Sequence, residues 1–92
     1  MANHASALKR HRQTEKRTIR NQALRTRLRH FVRAVRQAVA RKDAAAAEET
    51  LRRATRALDK AVTKGLIHRN NASRRVSRLS HAVSRLKAGA AQ

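Results

Sequence analysis

The sequence predicts an all-α protein, an antiparallel three-helix bundle whose long N-terminal helix extends beyond the bundle. Three observations predict it. The 92 residues hold no proline and only two glycines, at 65 and 89, so almost nothing interrupts a helix. Most of the chain is Ala, Arg, Leu, Lys and Gln, all strong helix formers, and strand-like alternation is absent. Three apolar stripes of similar length recur at helical spacing.

The first helix is expected from a Ser6 cap to about Arg41. Its stripe is Leu24, Leu28, Phe31, Val35 and Val39, with Val32 beside it. In heptad steps towards the N-terminus, one row reads Phe31, Leu24, Arg17, Arg10 and the other Val35, Leu28, Asn21, Thr14. The face that is apolar after Leu24 is therefore polar and basic before it, and no bundle can bury that part. At 1.5 Å per residue, some 17 residues should project about 25 Å past the other helices.

The middle helix is expected from Ala44 to about Lys64. Asp43 suits its N-cap, Gly65 suits the position just past its end, and Ala47, Leu51, Ala54, Leu58 and Val62 form its stripe. In the last helix Ala72, Val76, Leu79, Val83 and Leu86 step by 4, 3, 4 and 3. Asn70 or Asn71 would cap its start, and Gly89 would close its end in a left-handed turn. Short connections around Lys42 and from Gly65 to Arg69 make neighbouring helices antiparallel. The chain is thus one domain, with a basic helical arm at 1–23, the bundle at 24–88 and a tail at 89–92.

Charge narrows the function. Lys and Arg number 24 against 5 acidic residues, a formal net charge of +19. A chain so charged repels itself and gains from a polyanionic partner, nucleic acid first and an anionic membrane surface second. Phe31 is the only aromatic residue, so base recognition by stacking is nearly excluded and the grip must come from phosphate, sugar and shape contacts. The longest apolar run is Ala44 to Ala47, far short of the roughly 20 residues of a membrane span. Without cysteine there are no disulfides or thiolate metal sites.

The charge is also unevenly spread. Residues 1–42 carry 13 basic residues and one acid, Glu15; residues 43–65 carry 5 basic and 4 acidic; residues 66–92 carry 6 basic and no acid. The middle helix therefore reads as a solvated face turned away from the partner, with Glu48 and Glu49 able to pair with Arg52 and Arg53. The last helix differs. Arg74, Arg78, His81 and Arg85 form a basic stripe, and Ser73, Ser77, Ser80 and Ser84 form a hydroxyl stripe at the same spacings. Guanidinium groups fork onto phosphates, and serine hydroxyls reach phosphate or 2′-OH oxygens.

Catalytic chemistry is missing. Asp59 stands alone among bases, and Glu48 and Glu49 face different sides of one helix. No two of His4, His11, His30, His68 and His81 have the i,i+4 spacing of a metal pair. Two glycines cannot build a phosphate-binding loop, and no nucleophile has an activating base. The expectation is no enzyme, no cofactor, no metal and no small-molecule substrate.

Two segments resemble a known family. Met1-Ala2-Asn3, Ser6-Ala7 and Lys9-Arg10 look like the opening of the bacterial small-subunit ribosomal protein family numbered twenty. Lys64-Gly65-Leu66-Ile67-His68-Arg69-Asn70-Asn71-Ala72-Ser73-Arg74-Arg75, closed by Ser77-Arg78-Leu79, resembles that family's most characteristic stretch. The similarity covers essentially the whole chain in length, order and charge. It implies a structural constituent of the 30S subunit, bound directly to 16S ribosomal RNA in the cytoplasmic ribosome, where the family joins the 5′ domain of that RNA to its long penultimate helix. Few protein contacts and no membrane are implied.

On that resemblance, RNA contacts fall on two regions. In the arm they are Asn3, Ser6, Lys9, Arg10, Arg12, Lys16, Arg17 and Arg20, with Arg25 and Arg27 where the arm meets the bundle. At the corner they are Lys64, His68, Arg69, Asn70, Ser73, Arg74 and Arg75, continued along the last helix by Ser77, Arg78 and Arg85. One departure is visible. The family often has Gly before the acidic residue between the first two helices, and here Lys42 precedes Asp43.

Three other classes share some of these features. A nucleoid or histone-like DNA-binding protein has the same charge and helices, but it presents one recognition helix or a symmetric dimer, and neither pattern stands out here. A membrane-surface helix needs large apolar anchors, usually Trp, that this chain lacks. A transit peptide is also Arg-rich and helical, but here the pattern runs on into a long structured helix.

Overall fold

The computed structural model describes residues 2–90, with side chains described for 5–89. Those residues form three helices and no strand: α1 Ala2–Ala40, α2 Ala44–Thr63 and α3 Arg69–Ala90.

The helix ends show how so few residues turn the chain twice. At the end of α1 the Lys42 N–H donates to the Val39 carbonyl at 3.0 Å, and the Asp43 N–H to the Ala38 carbonyl at 3.1 Å. At the end of α2 the Gly65 N–H donates to the Val62 carbonyl at 3.0 Å, and the Leu66 N–H to the Ala61 carbonyl at 2.9 Å. Both are Schellman motifs, which need a left-handed residue one position past the C-cap. Gly65 supplies it at φ 76 and Lys42 at φ 60. Asp43 then opens α2: its carboxylate accepts the Ala46 N–H at 3.1 Å and its carbonyl the Ala47 N–H at 2.9 Å.

Three expected boundaries move. α1 runs from Ala2, so Ser6 lies within the helix and does not cap it; the Ala-rich opening propagates the helix past it. The cap of α3 is neither Asn70 nor Asn71 but His68. Its carbonyl accepts the Ala72 N–H at 3.1 Å and its Nδ1 accepts the Asn70 N–H at 3.1 Å. α3 also continues through Gly89 to Ala90, with Gly89 outside the left-handed region. Flanking alanines carry the helix across a glycine that costs about 1 kcal/mol relative to alanine.

The core lies in two layers. Leu28 of α1 packs with Leu58 and Ala61 of α2 and Ala72 of α3. Val35 and Ala38 of α1 pack with Ala54 and Ala47 of α2 and Leu79 and Val83 of α3. The order of these partners makes α2 antiparallel to both neighbours, as the short connections require. Five of the ten buried core residues are alanines, at 38, 47, 54, 61 and 72. The larger Val39 and Val62, which the stripes single out, flank them half-buried. The core is thin.

Every side chain from Ala5 to Arg20 is exposed, Leu8 and Ile19 among them at 48% and 68%. The 39 residues of α1 span about 58 Å, against about 30 Å for the 20 of α2. The radius of gyration is accordingly 18.4 Å, where a compact chain of this length has about 12 Å.

Candidate nucleic-acid interface

The packing of α1 beside α3 leaves an open groove of about 480 Å³ between them. Its floor is Val32 and Leu79. Its walls are Arg29, Arg33 and Arg36 from α1 and Arg75 and Arg78 from α3. The spacings 4 and 3 on α1, and 3 on α3, bring all five arginines to one side of the helix pair. No carboxylate lines the groove. The Arg75 Nε donates to Asn71 Oδ1 at 3.0 Å, which holds that guanidinium in place and leaves its terminal nitrogens to other partners.

Further along the same side, a second depression of about 570 Å³ is lined by Lys42 and Arg85 around Val39 and Leu86. Seven cationic side chains thus follow one α1–α3 seam. Their mutual repulsion is relieved by a polyanion, and arginine suits phosphate because its planar fork donates two parallel hydrogen bonds.

The predicted contact residues separate into groups. Arg75, Arg78 and Arg85 lie on this seam. Ser73, Arg74 and Ser77 are exposed on α3 beside it. Ser6, Lys9, Arg10, Arg12, Lys16, Arg17 and Arg20 are exposed along the arm, as is Arg25; the Asn3 side chain lies outside the described residues. Arg27 and Lys64 are not on the seam but in a different groove, between α1 and α2. His68 caps α3, with Arg69 and Asn70 exposed in its first turn.

Arg29, Arg33, Arg36 and Lys42 are absent from the sequence-derived contact set. The signal was available: Arg29, Arg33 and Arg36 repeat at helical spacing beside the apolar stripe, as Arg75 and Arg78 do on α3.

The acids sit elsewhere. Glu49 accepts from Arg53 Nε at 3.1 Å, as the spacing predicts, but Glu48 pairs with Lys87 of α3 and not with Arg52, because the α2–α3 interface brings that lysine to it. Glu15 lies 3.0 Å from His11 Nε2 on the arm. These pairs are exposed and contribute little stability. Among the described residues no His, Asp and Glu cluster could hold a metal, and no helix is long and apolar enough to cross a membrane.

An elongated helical bundle with a polycationic seam and a basic arm is the build of a structural protein with the charge to hold a polyanion. The comparisons narrow the class. Residues 2–84 match the model of the family described as Ribosomal protein S20. The small ribosomal subunit protein bS20 of Geotalea uraniireducens is 56% identical over 86 residues, covering 94% of this chain and 99% of that one. Those of Maridesulfovibrio salexigens and Geotalea daltonii are 55% and 57% identical over the same length and coverage. The chain belongs to the ribosomal protein S20 family, a family of structural components and not of enzymes.

Proposed function

We propose that this protein is a structural constituent of the small ribosomal subunit that binds 16S ribosomal RNA directly and stabilises its fold. Its place is the cytoplasmic ribosome, as the family assignment gives it. The observation that carries direct binding is the α1–α3 seam: five arginines face one groove without a carboxylate, and Lys42 and Arg85 extend the row. A ridge of RNA backbone laid along it neutralises charges that otherwise repel one another, and each arginine can fork onto a phosphate.

The arm acts as a second, separate grip. Residues 5–20, exposed throughout, carry Lys9, Arg10, Arg12, Lys16, Arg17 and Arg20 with nothing of the protein to cover them. The His68 corner and the serines of α3 complete the contact surface with sugar and phosphate hydrogen bonds.

Competition tests this reading. With labelled 16S RNA and unlabelled duplex DNA at one salt concentration, the RNA should be retained against a large excess of DNA, and the protein should stay with small subunits through a high-salt wash. Equal competition by DNA would favour the nucleoid reading.

A further inference from the structure

A second groove, of about 410 Å³, lies between α1 and α2. Its α1 residues, Leu24, Arg27 and Phe31, are centred roughly 170° around the helix from Arg29, Arg33 and Arg36, at 100° per residue. It therefore opens on the opposite side of α1 from the arginine seam. Its character differs too. The floor is apolar, built from Leu24, Phe31, Ala57 and Leu66, and the rim carries Arg27, Arg56, Lys60 and Lys64. Arg53 also lines it, but Glu49 holds that guanidinium at 3.1 Å. The other four cations have no ion-pair partner among the described residues.

Phosphates alone fill a charged groove; they do not fill this one. A duplex keeps its bases stacked inside, so it would touch the rim and leave the floor wet. An unpaired nucleotide offers both parts at once, a flat base for the floor and phosphates for the rim. Phe31, the only aromatic residue in the chain, is half-buried in that floor; one ring cannot read a run of bases, as its solitude in the sequence predicts, but it can hold a single one. Stacking on an aromatic ring accepts any of the bases. The volume falls within the roughly 300–1,000 Å³ of pockets that hold small ligands. Lys9, Lys16, Arg20 and Arg27, at spacings 7, 4 and 7, follow one face of α1 into the groove and give the adjoining strand a track.

We infer that the α1–α2 groove binds one unpaired RNA nucleotide, its base against Phe31 and Leu66 and its phosphates on Arg27, Arg56, Lys60 and Lys64. This rests on the RNA-binding reading above and adds to it a site of different chemistry.

The test follows the Phe31 ring and Leu66 methyl resonances of the full chain by NMR. The added ligands are a single-stranded RNA hexamer, an RNA duplex of equal phosphate number, inorganic polyphosphate and a Glu-rich peptide. The hexamer should move the Phe31 ring signals by ring-current shifts that the other three do not produce. Phe31→Leu should weaken hexamer binding about tenfold and leave duplex binding unchanged; should that variant fold poorly, Arg56→Ala with Lys60→Ala should weaken hexamer binding at least as much and duplex binding by a clearly smaller factor. Equal shifts from duplex or polyphosphate, preferential shifts from the peptide, or unchanged hexamer affinity in the variants would overturn the inference. Failure of the duplex as well as the hexamer to bind would overturn the RNA reading itself.

Discussion

Lys42 and Gly65 occupy the same position in two copies of one helix-ending motif. Each sits one residue past a C-cap with a positive φ, 60 and 76, and each donates its N–H to the carbonyl three residues back at 3.0 Å. Glycine adopts that conformation freely, whereas a residue with a Cβ is strained there by about 1–2 kcal/mol. The strained residue is also the one whose side chain lines the cationic seam beside Arg85.

Lys42→Gly should therefore raise stability by about 1 kcal/mol, a gain of about 4–8 °C in Tm for a domain of this size. The same change should lower the salt dependence of RNA binding by about one phosphate contact. Thermal melts and salt titrations of one variant read both effects. A lower Tm would show that the turn does not strain Lys42.

His68 has two separable roles. As the cap of α3 its Nδ1 accepts the Asn70 N–H. His68→Ala should cost about 1 kcal/mol, and His68→Asp should restore the cap and the stability. The aspartate also places a negative charge in the corner proposed to contact RNA, so binding should weaken although the fold is recovered. Melting curves and RNA affinity, measured on both variants, separate the roles; equal stability of the Ala variant and the parent would exclude the cap.

Removal of residues 1–21 takes away six basic residues and Glu15 but no buried side chain among those described. The shortened chain should still melt cooperatively by circular dichroism while its RNA affinity falls sharply. Loss of the cooperative melt would move the edge of the bundle upstream of Leu24.

Leu58 and Val35 are the largest fully buried side chains. Leu58→Ala should cost about 2–5 kcal/mol, a large share of the roughly 5–15 kcal/mol that stabilises a native domain. The free variant should melt at a lower temperature and exchange its amides faster than the parent, and RNA should offset much of the loss, since a ligand at 100 times Kd adds about 2.7 kcal/mol; unchanged melting would contradict the buried place of Leu58.

Periodicity made the three helices, the exposed first half of α1 and the Asp43 and Gly65 caps readable before any coordinates. It erred where a local signal competed with propagation: Ser6 and Gly89 look like helix ends, but neighbouring alanines carry the helices past them. It also favoured valine over alanine in the core, because hydrophobicity ranks Val39 above Ala38 although the structure buries the smaller one. The seam was half legible. Arg75 and Arg78 could be read from one helix, but their meeting with Arg29, Arg33 and Arg36 depends on how α1 and α3 are paired in space. Glu48 likewise finds Lys87 only through the α2–α3 interface.

The central claim, that an oriented seam of arginines grips RNA phosphates, is tested most directly by the slope of log affinity for 16S RNA against log salt. The intact protein should give a steep negative slope, and Arg33→Ala and Arg78→Ala should each reduce its magnitude by about 1. Arg52→Ala, on the α2–α3 side with Glu48 and Lys87, should leave it nearly unchanged. Equal changes in all three variants would mean a diffuse polycation without an oriented interface, and a slope near zero for the intact chain would contradict the electrostatic account altogether.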